Sequence, residues 1–393
     1  PRFADWVASL PGFSYTHPAT PPKFSQGSLE ILNVLEEYLV EITGMDYASF
    51  QPPAGASGEL TGLLIIKRYL ENNGHDDKTN IIVPDSAHGT NPASAAMCGY
   101  EIIEIPSLEN GRLDLDALRA VVGDDTAAMM ITNPSTLGIF EPEIAEAAEI
   151  VHTAGGQMYY DGANFNAILG KTDPGRMGFD AVHYNLHKTF SQPHGGGGPG
   201  SGPIGVKSHL ADYLPTPLVD RESVEDGGAT GDGYRYYWRK PDKSIGKVQQ
   251  WHGNSGAVVR AWAFYRRYGR ELERMSEHAV LNANYLRHRI MQGAEGVHAM
   301  PLDGAPAKVV KHEFTLSMSP LKEAVGVTGK DIAKRLLDYG YMSPTLYFPM
   351  IVPECLMIEP TETESKEVLD KFAKDFLKIL GEDPELVTTA PHT

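Results

Sequence analysis

Cysteine is nearly absent: Cys98 and Cys355 are the only two in 393 residues. Two lone thiols exclude an all-cysteine zinc site and mark no disulfide framework, which favours a reducing compartment. Positive charge is also short, with 34 lysines and arginines against 51 aspartates and glutamates and a net charge of −17. That balance opposes non-specific nucleic-acid binding, which needs a basic footprint. The acidity itself reports solubility and not a partner. No apolar run reaches the roughly 18–20 residues of a membrane span, so no membrane partner is expected. The start, Pro1-Arg2-Phe3-Ala4-Asp5-Trp6, lacks the basic-then-apolar pattern of a secretory signal. It also lacks an initiator methionine and reads as a fragment or a processed form. What the chain has in excess is glycine, 40 residues, about 10% against a usual ~7%.

The length suits about two or three domains, large enough to bury a core without disulfides. Residues 1–44 read as a Pro-rich, irregular arm followed by a helix, in which Leu29, Leu32, Leu35, Leu39 and Ile42 recur at three and four before Gly44. Between 45 and 253, short apolar strands alternate with helices: Asn80 to Val83, Glu101 to Ile105, Ala127 to Thr132, Gln157 to Tyr160, Ala181 to Tyr184 and Pro203 to Val206. Such alternation predicts an α/β unit with a large, mainly parallel sheet covered on both faces. The polar, Gly-rich stretch 218–250 reads as a surface loop or mobile lid. A long helical region over 254–295 then leads to a smaller C-terminal α/β unit, 296–393. There Lys308 to Met318 and Cys355 to Glu359 read as strands, and Gly329 to Tyr339 and Glu364 to Leu380 as helices.

Ligands of parallel sheets gather at the carboxyl ends of the strands, and the unusual residues cluster there. Asn185-Leu186-His187-Lys188-Thr189-Phe190 places a lysine between a strand end and the run Gly195 to Gly198. Asp161 ends another strand. A lysine that tethers an aldehyde and an acid for a ring nitrogen are the two groups that pyridoxal 5'-phosphate (PLP) requires. Lys188 is the candidate Schiff-base lysine and Asp161 the pyridinium partner; burial and the nearby cationic ring would lower the lysine's pKa. Ala163 is small enough to lie beneath the ring. Gln51-Pro52-Pro53-Ala54-Gly55-Ala56-Ser57-Gly58-Glu59 opens a helix whose leading amides at Ala56 and Ser57, with the Ser57 hydroxyl, suit a phosphate. His88 would stack on the other ring face or serve only its strand end. Asn133 and Thr136 reach the ring hydroxyl or substrate, or simply form an Asn-Pro turn. His187 would contact phosphate or shuttle protons. No metal-ligand set is read.

The lysine segment with Pro193-His194-Gly195-Gly196-Gly197-Gly198-Pro199-Gly200 closely resembles the PLP-lysine region of glycine decarboxylase, the P-protein of the glycine cleavage system. So do Asp85-Ser86-Ala87-His88-Gly89-Thr90-Asn91-Pro92-Ala93, Tyr160-Asp161-Gly162-Ala163-Asn164 and Met357-Ile358-Glu359-Pro360-Thr361-Glu362-Thr363-Glu364-Ser365-Lys366. The likeness spans nearly the whole chain and is greatest to the carboxy-terminal half, or to subunit 2 of two-subunit bacterial enzymes. It implies a fold-type-I PLP-dependent transferase architecture and decarboxylation of glycine. The aminomethyl group would pass to the lipoyl arm of H-protein. A complementary P-protein subunit or half, or a homodimer mate, is implied as partner. The location implied is cytoplasmic for a bacterial chain and the mitochondrial matrix for a eukaryotic one. The family carries a further amino-terminal segment before the point where this chain begins, and Ser223 to Tyr237 matches it least. The competing readings are a silent structural half, an aminotransferase or a cysteine desulfurase. The last two would be told by a substrate-binding arginine in the small unit, where Arg335 is the only one after 295, or by a cysteine on a mobile loop.

Overall fold

The computed structural model describes residues 2–195, 197–225, 227–294, 296–300 and 309–392. Its large sheet is built from β1 (Tyr47–Ser49), β2 (Asn80–Pro84), β3 (Glu101–Ile105), β4 (Thr126–Ile131), β5 (Gln157–Gly162), β6 (Ala181–Tyr184) and β7 (Ile204–Val206). The order is β1-β7-β6-β5-β4-β2-β3. The run from β6 to β3 is parallel, and β7 and β1 close the other edge antiparallel. Strands β2, β4, β5 and β6 are buried at every residue, which is why they read as apolar runs without alternation. The Gly55–Asn72 helix packs on one face through Leu63, Ile66 and Leu70. Gly62 permits that approach, since a Cβ there would lie 2.3 Å from the Tyr159 ring.

The second sheet, β10 (His298–Met300), β11 (Phe314–Ser317), β12 (Thr345–Leu346) and β13 (Cys355–Ile358), is antiparallel in the order β10-β11-β13-β12. Two amphipathic helices share its core, Gly329–Asp338 and Lys366–Leu380. Thr328 and Asp331 form a capping box on the first and Ser365 caps the second. No helix among the described residues is long and apolar enough to cross a membrane.

Several expectations need correction. The arm is not irregular: Arg2–Ala8 and Pro11–Ser14 are helical, and Asp5 pairs with Arg260 at 2.6 Å on the chain's own Ser255–Tyr268 helix. The stretch read as a lid holds a hairpin, β8 (Leu218–Ser223) with β9 (Tyr234–Arg239). Its register is pinned by the buried Gln26 side chain, which donates to Tyr236 O at 2.7 Å and accepts from Tyr236 N at 2.9 Å. Asp226 and Gly196 lie outside the described residues. The long helical region is two helices, Ser255–Tyr268 and Leu272–Met291, broken where Gly269 takes φ +52°. The strand expected over 308–318 is confined to β11, with Lys308 outside the described residues.

Two contacts fasten the small sheet's residues to the large one. Gly138, at φ +75°, accepts from Lys311 N at 2.8 Å, and a Cβ there would sit 2.0 Å from Glu313 O. Asn164 and Asn166 both donate to the Glu359 carboxylate, at 2.9 Å and 2.6 Å to Oε1. Gly138→Ala therefore combines a left-handed backbone with a backbone clash. It is expected to cost about 3 kcal/mol or more, read as a lower urea midpoint at unchanged m-value.

Candidate active site

The carboxyl ends of β5 and β6 present Asp161 and the Asn185–Lys188 segment side by side, with the start of the Gly55–Asn72 helix directly above. A Cβ on Gly55 would lie 2.8 Å from the Asn185 amide, and one on Gly58 2.6 Å from Gly202 O and 2.9 Å from His183 Cβ. Only glycine lets this helix start approach so closely. Ala54 offers no side-chain cap, so the leading amides of Gly55, Ala56 and Ser57 have no partner within the helix.

Asp161 is buried. Its Oδ1 accepts from Ala163 N at 3.1 Å and its Oδ2 from Asn91 Nδ2 at 2.9 Å. The His183 ring lies 3.5 Å away. Burial alone would raise this carboxyl; the adjacent His183 ring, the two hydrogen bonds and the Lys188 charge outweigh it and hold Asp161 below the usual range. Burial keeps His183 neutral and keeps the phenol proton on Tyr159. Tyr159 Oη then donates to His183 Nδ1 at 2.8 Å, leaving the ring hydrogen on Nε2, on the side of Asp161. His183 Nε2 has no hydrogen-bond partner.

Lys188 is exposed, not buried as expected. Its ammonium bears electrostatically on Asp161, His183 and His187 of the large unit and on His312 and Glu313 of the small one. His187 accepts from Ser201 N at Nδ1, 3.2 Å, and sits 4.3 Å from the His194 ring. Burial first, then His194 and Lys188, lower it to about 4. It is a neutral ring near neutral pH with Nε2 left to donate, which suits the phosphate contact, one of its two expected roles. His88 is exposed, held by Thr90 Oγ1 at 2.7 Å and met edge-on by Phe348 at 5.0 Å. Thr136 donates to Ser86 O at 2.9 Å. Asn133 is wholly buried, and both ends of its amide bond the backbone of Glu141. It serves the turn and does not face a ligand.

The residue patterns gave no role to several groups gathered here. His312, Glu313 and Glu359 bring ligand-type atoms within 4.8 Å of one another. Burial pushes the Glu313 carboxyl far up, and neither His312 nitrogen has a hydrogen-bond partner. Glu59 and Asn91 stand behind Asp161. Glu59 was legible in principle: it falls on the same helical stripe as Leu63, Ile66 and Leu70, and a charge on a buried stripe asks for an explanation. The two features that would mark other fold-type-I chemistries are occupied. Arg335 pairs with Asp338 and Glu382, each at 2.7 Å. Cys355 is buried with its thiol pushed up to about 12.

The chain is similar to known proteins over its whole length. Residues 275–391 match the family model "Glycine dehydrogenase, C-terminal domain", and 57–198 match "Aminotransferase class-V". The whole chain is 54% identical to 76% of the "Probable glycine dehydrogenase (decarboxylating) subunit 2" of Thermococcus gammatolerans. It is 52% identical to 78% of the protein of the same name in Listeria monocytogenes. Among solved structures, a glycine decarboxylase (P-protein) of the glycine cleavage system in inhibitor-bound form superposes with TM-score 0.77 at 19% identity, over 97% of this chain and 82% of that one. A NifS-like protein superposes with TM-score 0.70 at 15% identity, over 96% and 95%. At those identities the structures speak for the fold alone, the fold-type-I architecture of PLP-dependent transferases. The identity over the full chain decides the family: this chain belongs to the glycine dehydrogenase (decarboxylating) subunit 2 family.

Proposed function

We propose that the chain decarboxylates glycine with PLP and passes the aminomethyl group to the lipoyl arm of an H-protein, working with a complementary glycine dehydrogenase subunit. The observation that carries this is the 54% identity across the entire chain to a protein named for that reaction. The convergence of a lysine, a buried acid and an uncapped helix start at the carboxyl ends of β5 and β6 supports it.

The residues present fit PLP. The cradle above Asn185 is one that a Cβ would fill, and the unsatisfied His183 Nε2 lies beside Asp161. When bound, PLP supplies the sink for the electrons that CO2 leaves behind. Lys188 Nζ would hold the cofactor's aldehyde carbon. Asp161, kept ionised by Asn91 and Ala163, would hold the proton on the ring nitrogen. His88 would cover one ring face and Ala163 lie under the other. The amides of Ala56 and Ser57 would receive the phosphate, with neutral His187 donating to it, and Thr136 would stand at the ring's oxygen side. Glu313, held protonated, and neutral His312 line the small-unit side as groups able to donate without adding charge. Exclusion of water matters here, because a solvated carbanion simply takes a proton.

The aminotransferase and desulfurase readings lose their discriminating residues with Arg335 committed and Cys355 buried. A silent half would lack the lysine, whereas Lys188 and Asp161 are both present. Purified protein with added PLP is expected to give a visible absorbance band that borohydride fixes onto the peptide bearing Lys188. Glycine–CO2 exchange should then appear when lipoylated H-protein and the complementary subunit are added. A colourless protein would overturn the reading in favour of a silent half.

A further inference from the structure

Glu59 touches none of the positions assigned to PLP, yet the residues that hold those positions converge on it. Its side chain is buried, with the residue 4% exposed, on the inner face of the Gly55–Asn72 helix. Its Oε1 accepts from Thr90 Oγ1 at 2.8 Å. Its Oε2 accepts from Asn91 Nδ2 at 3.1 Å and from Ser94 Oγ at 3.4 Å. A carboxylate buried next to a second carboxylate costs desolvation and repulsion, and burial followed by the Asp161 charge raises Glu59 to about 7. Packing alone gives no reason to keep it, since a leucine there would continue the stripe of Leu63, Ile66 and Leu70.

What the carboxylate provides is orientation. Asn91 Nδ2 carries two hydrogens, and the pair of carboxylates takes one each, Glu59 at 3.1 Å and Asp161 at 2.9 Å. The amide therefore cannot turn its oxygen, which has no partner of its own, towards Asp161. Thr90 has a single hydroxyl hydrogen. That hydroxyl lies 2.8 Å from Glu59 Oε1 and 2.7 Å from His88 Nδ1, and the Thr90 amide also donates to His88 Nδ1 at 3.2 Å. Glu59 thus fixes the direction of the hydrogen bond that reaches the acid.

Resting on the PLP reading above, we propose that Glu59 is a positioning residue. Through Asn91 it orients the acid that faces the cofactor's ring nitrogen.

The test is Glu59→Gln, which keeps size and shape but puts a donor among donors. Equilibrium dialysis of PLP against the cofactor-free chain should show affinity about ten-fold weaker. The pH midpoint of the visible band in the loaded protein should move by about half a unit or more, a readout that a merely structural role would leave alone. Ser94→Ala, which removes only the longest of the three contacts, should keep the parental affinity and midpoint. Parental affinity and midpoint in Glu59→Gln, with wild type binding PLP, would overturn the proposal and leave the function reading intact. Should Glu59→Gln fail to fold, Glu59→Leu, which continues the apolar stripe of the helix, removes the same acceptor. A shifted midpoint there supports the proposal, and a parental one overturns it. Wild type that binds no PLP overturns the cofactor reading itself and this one with it.

Discussion

Lys188→Ala is expected to lower glycine–CO2 exchange by about 10³-fold or more, roughly 4 kcal/mol of barrier. Among the described residues, Lys171 is tied to Glu273 and Glu277, and Lys311 Nζ lies over the Phe140 ring at 5.6 Å. Because Lys188 is exposed, its loss opens no cavity and leaves stability within about 0.5 kcal/mol. The variant should fold with the parental urea midpoint and still take PLP through the helix start and Asp161, but borohydride should fix nothing to it. Parental exchange in this variant would remove the lysine from the chemistry.

The second large effect is expected at Asp161. Asparagine there keeps the volume and can still accept from Ala163 N, but it removes the buried negative charge and sets an amide against the Asn91 amide. Removing one member of a buried, hydrogen-bonded charge pair costs about 3–5 kcal/mol. With a protonated ring nitrogen as the other member, Asp161→Asn should lose about 10²- to 10³-fold in exchange. Without the cofactor the effect on stability depends on pH. Asp161 is held below its unfolded value, so its contribution is present above about pH 4 and is lost as pH falls through the folded pKa. The cofactor-free variant should therefore differ most from wild type near neutrality and converge with it in acid. Exchange within three-fold of parental would dissociate Asp161 from the ring nitrogen.

The parallel half of the fold was legible because β2, β4, β5 and β6 are buried on both faces and leave unbroken apolar runs. β1 and β12 were not, being short pieces whose strand character comes from pairing with β7 and β13 and not from local pattern. The β8–β9 hairpin was hidden by the glycines of its turn, although the run Tyr234-Arg235-Tyr236-Tyr237-Trp238 carries clear strand propensity. Asp161 and Lys188 were readable since each follows directly on a strand and the chemistry demands a particular residue type. His312, Glu313 and Glu359 are held at the site by contacts at Gly138, Asn164 and Asn166. No local spacing encodes a contact between units so far apart in sequence.

The site is finished unevenly: Asp161, His183 and Glu59 are sealed in the interior, whereas Lys188, His88 and Ala56 stand open to solvent. The described residues supply a floor without a roof. A cofactor aldehyde resting on that floor would lie within reach of any small amine or hydroxylamine in the medium. Its rate of stripping by such reagents becomes a gauge of assembly, fast for the lone subunit and slow wherever another surface closes over Lys188.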